Sequence, residues 1–116
     1  MKYSMFIGRW QPWHKGHRWL IDQRLNKGKN VLICIRDVEA DKNNPYSPSE
    51  VLENISNELD ELITEGKVKV IIIPDIESIN YGRGVGYEII ERIPPVEIGE
   101  ISATKIREEM RKEGKL

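Results

Sequence analysis

Both histidines of this chain fall in one short stretch, Gly8-Arg9-Trp10-Gln11-Pro12-Trp13-His14-Lys15-Gly16-His17. His14 and His17 stand three positions apart, a spacing that puts two side chains on one face of a helix's first turn. At that end the helix carries unpaired N–H groups and the positive end of its dipole. Arg9 adds a permanent cation whose donor fork matches phosphate oxygens. Gly8 and Gly16 let a ligand come close to the backbone. The set suits the bridging and non-bridging oxygens of a polyphosphate. The same two rings also suit a plain helix cap. Zinc is disfavoured, because no third or fourth ligand stands at a suitable spacing.

A second set is Ile101-Ser102-Ala103-Thr104-Lys105-Ile106-Arg107. Ser102 and Thr104 place hydroxyls where a helix begins and its free N–H groups meet an anion. Arg107 lies one turn further and reaches the same region. Taken alone, this segment reads as an N-capped helix. A Gly-rich P-loop is absent, which excludes a Walker-type ATPase.

These residues need a scaffold, and the hydrophobic pattern supplies one. Tyr3 to Gly8 and Val31 to Ile35 are apolar runs that predict strands, the second covered on both faces. A helix is expected from His14, with Trp19, Leu20 and Leu25 inward and Gly28 ending it. Asp37 to Ser47 is a polar loop. Pro48-Ser49-Glu50 opens a second helix whose Val51, Leu52, Ile55, Leu59, Leu62 and Ile63 recur at helical spacing, with Gly66 closing it. Val68 to Ile73 predicts a third strand, stopped by Pro74. Gly82, Gly84 and Gly86 mark a loop, Tyr87 to Ile93 suits strand or helix, and Val96 to Ile101 is read as a short last strand. Ser102 caps a terminal helix to about Lys112. The expected fold is therefore α/β: a Rossmann-like parallel sheet with helices on both faces, in a single small domain spanning 1–116. Ligands of such sheets bind beyond the carboxyl ends of the strands. Arg9, Arg36 and Asp37 fall at those ends.

Composition limits the partners. The chain has 116 residues, 18 basic and 19 acidic, and a net charge of −1. That balance argues against a protein whose main task is holding a nucleic-acid backbone, and the lack of an aromatic platform argues against an RNA-binding domain. A few cations focused in one cleft still suffice for a triphosphate. No apolar run has the length of a membrane span. Without a signal-peptide pattern, the cytosol is the expected location. Cys34 is the one cysteine, inside an apolar run, and reads as a buried core thiol.

Residues 8–17 resemble the two-histidine nucleotidyltransferase signature HxGH in its GRFQPFHxGH form, with Trp10 and Trp13 where phenylalanines are usual. Residues 101–107 resemble the ISxTxIR-type motif of the same superfamily. Asn44-Pro45-Tyr46-Ser47, followed by Glu50, is similar to the NPFT-xx-ER segment of the archaeal-type nicotinamide mononucleotide adenylyltransferases, and Pro74-Asp75-Ile76 to their IPDI stretch. The resemblance implies in-line attack of an acceptor phosphate on the α-phosphorus of a nucleoside triphosphate, with release of pyrophosphate. It implies His14, His17 and Arg107 as catalytic residues, the histidines on the transferring and leaving phosphates. Arg107, Ser102 and Thr104 would hold the β- and γ-phosphates, and Gly8, Arg9, Trp10, Gly16 and Lys105 complete the nucleotide-binding set. Magnesium is expected to bridge the substrate phosphates, with ATP expected ahead of CTP. Arg36, Asp37, Tyr46, Tyr81 and Arg83 are acceptor-side candidates. The stretch between the third strand and Ser102 is shorter than in those enzymes, so the acceptor stays open. A cytidylyltransferase using a polyol or choline phosphate, and a non-catalytic nucleotide-binding regulator, are the competing functions. A chain this short has little room for a two-substrate cleft, and a homo-oligomer is expected, with Ile76, Ile79, Ile89, Ile90 and Ile93 either forming its interface or buried in the monomer.

Overall fold

The computed structural model describes residues 1–99 and 101–116. Its centre is a three-stranded parallel sheet in the order β1 (Tyr3–Gly8), β2 (Asn30–Asp37), β3 (Val68–Pro74). The register sets Ile7 beside Cys34 and Gly8 beside Ile35, while Asp37 pairs with Pro74. All three strands thus end on one edge. β1 leads into α1 (Lys15–Leu25), and β2 leads through a loop into α2 (Pro48–Glu58) and the short α3 (Asp60–Thr64). The α/β alternation and parallel sheet are those expected from the apolar runs.

Side-chain alternation along β2 sends Val31, Ile33 and Ile35 to one face, where all three are fully buried. There they join Ile21 of α1, Val51 and Ile55 of α2, Leu59 and Val68, with Phe6, Leu25 and Val70 packed around them. Each such aliphatic side chain contributes about 1.5–3 kcal/mol by leaving water. Cys34, on the opposite side of β2, is also buried. Gly28 and Gly66 end their helices at φ of 71° and 76°, a left-handed conformation that a Cβ disfavours.

Three local expectations are corrected. The second helix is not continuous: Leu59, at φ −109° and ψ 21°, separates α2 from α3. Leu59 is itself buried, and the break is confined to its own backbone, since its N–H still donates to the Ile55 carbonyl at 2.9 Å and its carbonyl accepts from Ile63 N at 3.0 Å. The expected strand 96–101 is instead a short helix, α4 (Val96–Gly99), with position 100 outside the described residues. Pro95 begins it, its carbonyl accepting from Ile98 N at 3.0 Å, because proline's fixed φ prepares a helix start. Tyr87 to Ile93 forms neither strand nor helix. The terminal helix α5 (Ala103–Lys112) forms as expected, with Ser102 Oγ accepting from Lys105 N at 3.4 Å.

Candidate functional site

The first motif is built around the end of β1. Trp10 takes a left-handed φ of 54°, rare for a large side chain. That turn sends its ring inward, where it is 6% exposed. Its Nε1 donates to the Cys34 carbonyl at 3.1 Å. The ring lies against Gly8, where a Cβ would stand 2.9 Å from Trp10 Cε2. At Gly16 a Cβ would stand 2.8 Å from His14 Cε1. Both glycines are therefore required by the protein's own rings.

The histidines come together as their spacing predicts, stacked with ring centroids 3.6 Å apart. His14 is the N-cap of α1, its Nδ1 accepting from Gly16 N at 3.0 Å. His17 Nδ1 accepts from His14 N at 3.2 Å. The cap and the candidate site are thus one object. Since each Nδ1 accepts from a backbone N–H, the proton of each neutral ring belongs on Nε2. Trp10 meets His17 edge-on at 4.8 Å, and Trp13 lies 5.4 Å from it. Burial and the neighbouring His14 lower the His17 pKa to about 3, and burial lowers that of His14. Near neutral pH the pair presents two uncharged Nε2–H donors from a fixed platform.

Gln11 holds the three motif segments together. It is 4% exposed. Its Nε2 donates to the Tyr46 carbonyl at 2.8 Å and its Oε1 accepts from Tyr46 N at 3.0 Å. Its own carbonyl accepts from Arg107 Nη1. The histidine loop, the Asn44–Ser47 segment and α5 therefore meet at this residue. The sequence reading passes over it, because a glutamine beside a proline carries no local sign of a partner 35 positions away. Gln11→Ala is expected to destabilise the fold by about 2–4 kcal/mol, since it strands two backbone groups of Tyr46. Gln11→Glu should also destabilise, because it sets a carboxylate oxygen against the Tyr46 carbonyl. Denaturant unfolding checks both, and an alanine variant within about 0.5 kcal/mol of wild type would contradict this account.

Arg107 is brought to the first motif, but as a buried clamp, 7% exposed, that also donates to Thr104 Oγ1 at 3.3 Å. Burial lowers its pKa, as do the nearby cations Arg111 and Arg9, while Asp41 and Glu108 oppose the shift. Arg9, Thr104 and Lys105 are exposed, and Ser102 is half-buried. Tyr46 turns inward, its hydroxyl 3.7 Å from Met110 Sδ. Ser47 and Glu50 form a reciprocal cap at the head of α2. Arg36 pairs with Asp75 at 2.8 Å and donates to the Ile76 carbonyl at 3.0 Å, tying the ends of β2 and β3. Its partner is thus Asp75 and not the adjacent Asp37, which is exposed. Tyr81 and Arg83 are exposed in the 75–95 stretch and make no hydrogen bond or ion pair to these residues among those described. No group of three or more His, Cys, Asp or Glu gathers to hold a metal among the described residues. No helix of the described residues is long and apolar enough to cross a membrane.

Compared with models of known protein families, the chain matches none. Compared with curated proteins, it is 34% identical over 77 residues to a nicotinamide-nucleotide adenylyltransferase of Thermococcus onnurineus, covering 65% of this chain and 41% of that protein. The enzyme of the same name from Pyrococcus furiosus is 32% identical over 83 residues, covering 70% of this chain and 44% of its own length. That of Archaeoglobus fulgidus is 28% identical over 99 residues, covering 82% of this chain and 56% of the relative. The fold is a small α/β domain with a three-stranded parallel sheet, and the matched part of the chain is similar to adenylyltransferases. Within that class the chain is a distant homologue of the archaeal nicotinamide-nucleotide adenylyltransferases. It spans 41% and 44% of the length of the first two relatives.

Proposed function

We propose that the chain is a nucleotidyltransferase that moves AMP from ATP to a phosphate-bearing acceptor such as nicotinamide mononucleotide, with release of pyrophosphate. The observation that carries this is the stacked, neutral His14–His17 pair with both Nδ1 atoms engaged by backbone N–H groups. Each Nε2–H then points a donor toward a phosphate oxygen with no reorganisation at the moment of reaction, the arrangement that stabilises charge developing in a transition state. The acceptor phosphate is already anionic, so positioning supplies most of the catalysis and no strong base is needed. Arg107 holds α5 against the histidine loop, and Arg9 adds an exposed cation at the end of β1. Magnesium arrives with the triphosphate, as part of the substrate, which agrees with its habit of relying on substrate oxygens. Incubation with ATP or CTP, magnesium and a panel of acceptor phosphates tests the reading through pyrophosphate release. Release with ATP and nicotinamide mononucleotide is the expected result. Release only with CTP and a polyol or choline phosphate would instead make it a cytidylyltransferase, and nucleotide binding without release from any acceptor would make it a regulator.

The working unit is proposed to be a homodimer. Ile79, Ile89, Ile90 and Ile93 are all exposed, as are Tyr3 and Met5 on β1. Exposed apolar side chains in such number mark contact surfaces, and a second copy would add a wall to a site that one short chain builds only in part. Light scattering coupled to size exclusion should give twice the 13.5 kDa chain mass at micromolar concentration. A mass of one chain with activity intact would overturn the dimer.

A further inference from the structure

The sequence places Trp10 in the nucleotide-binding set, yet its side chain is 6% exposed and its one polar atom is engaged inside the protein. Little of the indole is left to offer a ligand. Its position is closely defined. The backbone turns it inward at a φ of 54°. Its Nε1–H donates to the Cys34 carbonyl at 3.1 Å, in the middle strand of the sheet. One flank rests on Gly8, where a Cβ would stand 2.9 Å from Cε2. Another part meets His17, with ring centroids 4.8 Å apart and planes at 87°. A buried carbonyl of β2 thus reaches the second histidine through one rigid side chain.

His17 needs such a partner. The bond from His14 N to its Nδ1, at 3.2 Å, fixes one atom of the ring. A ring held at one atom still swings about its broad terminal torsion. Stacking on His14 at 3.6 Å and 21° supplies a parallel neighbour. Trp10 supplies a perpendicular one, and edge-to-face contact has a preferred geometry because ring faces are negative and ring edges positive. One parallel and one perpendicular neighbour together leave the imidazole a single plane. His14 is the one titratable group that shifts His17. Trp10 and Trp13 are the other rings against it, and neither carries a charge.

We propose that Trp10 is a positioning residue for the transfer step, a rigid link from β2 that fixes the plane of the His17 ring and so the direction of its Nε2–H. The role in transfer rests on the proposed function. The hold on His17 does not.

The test follows both histidine rings by proton NMR between about pH 8 and 5, a range in which an unperturbed histidine titrates. The His17→Asn spectrum assigns the signals. In wild type the His17 signals should stay flat. In Trp10→Leu they should titrate within the range. Trp10→Phe keeps an aromatic edge and loses the N–H, so its shift should be smaller but present. Ile55→Val, one methylene removed from the core side of α2, should behave as wild type. Pyrophosphate release adds a second readout: Trp10→Phe should lower kcat about tenfold, with the KM for ATP within about twofold of wild type, because the indole orients the donor and does not touch the nucleotide. Should Trp10→Leu fail to fold, Trp10→Phe decides alone. A wild-type His17 that titrates normally, flat signals in the Trp10 variants, or an equal change in Ile55→Val would overturn the hold on His17. Shifted signals with an unchanged kcat would overturn the positioning role. If wild type releases no pyrophosphate with any acceptor, the nucleotidyltransferase reading falls, and the titration still decides whether Trp10 holds His17.

Discussion

His17→Ala is expected to lower turnover about a hundredfold or more, with only a modest change in affinity for the triphosphate. His17 does two jobs that separate cleanly. Its Nδ1 accepts the His14 backbone N–H and so helps cap α1. Its Nε2–H is the donor that the proposed function aims at the developing charge. Alanine removes both. Asparagine keeps an acceptor where Nδ1 stands, because its Oδ1 sits at the same distance along the side chain, and removes the distal donor. His17→Asn should therefore retain most of the stability near neutral pH and still show the loss in kcat. Pyrophosphate release under saturating ATP measures it. A kcat within a factor of two of wild type in either variant would remove His17 from the transition state.

Acid should destabilise the fold well before the carboxylates protonate. The folded His17 has its pKa lowered to about 3, against 6.5 for the free side chain. The unfolded chain therefore binds the extra proton first as pH falls. Stability is complete above about pH 6.5 and is lost progressively down to about 3. Each unit of difference is worth about 1.4 kcal/mol, so the full loss is bounded at about 5 kcal/mol. The structural cause is burial of the ring, with the neighbouring His14 adding to it; protonation would also turn Nδ1 from acceptor to donor against the His14 backbone N–H. His14, lowered in the same direction by burial, adds to the effect. Asp41 also has a lowered pKa, but below its ordinary 3.8, so it acts only at the acid end. Between pH 6.5 and 4.5 the histidines dominate. Thermal unfolding at those two pH values should differ by about ten degrees or more for wild type, and by clearly less for His17→Asn. Equal drops in the two proteins would mean that His17 titrates normally in the folded chain.

What the sequence by itself determined is what local patterns encode. The apolar runs of β1, β2 and β3 and the periodicity of α2 are legible because burying one face of a helix, or both faces of a strand, dictates residue spacing directly. In α1, by contrast, the residue that enters the core is Ile21 and not the expected Trp19 or Leu20. The ends are legible as well. His14 heads α1, Ser102 caps α5, and Gly28 and Gly66 supply the left-handed residues that stop their helices. The meeting of His14 and His17 on one face is also a local fact, three residues on one turn. The tertiary structure decided everything that depends on partners distant in the chain. Arg36 takes Asp75 rather than Asp37 because β2 and β3 end side by side. Gln11 becomes a clamp only because the loop before α2 folds back against the loop that follows β1. Leu59 breaks the helical geometry where it enters the core, and Arg107, read as a phosphate ligand, is buried against the Gln11 carbonyl. Spacing along the chain specifies which face a side chain takes. Which other segment that face meets is settled by packing the whole domain at once.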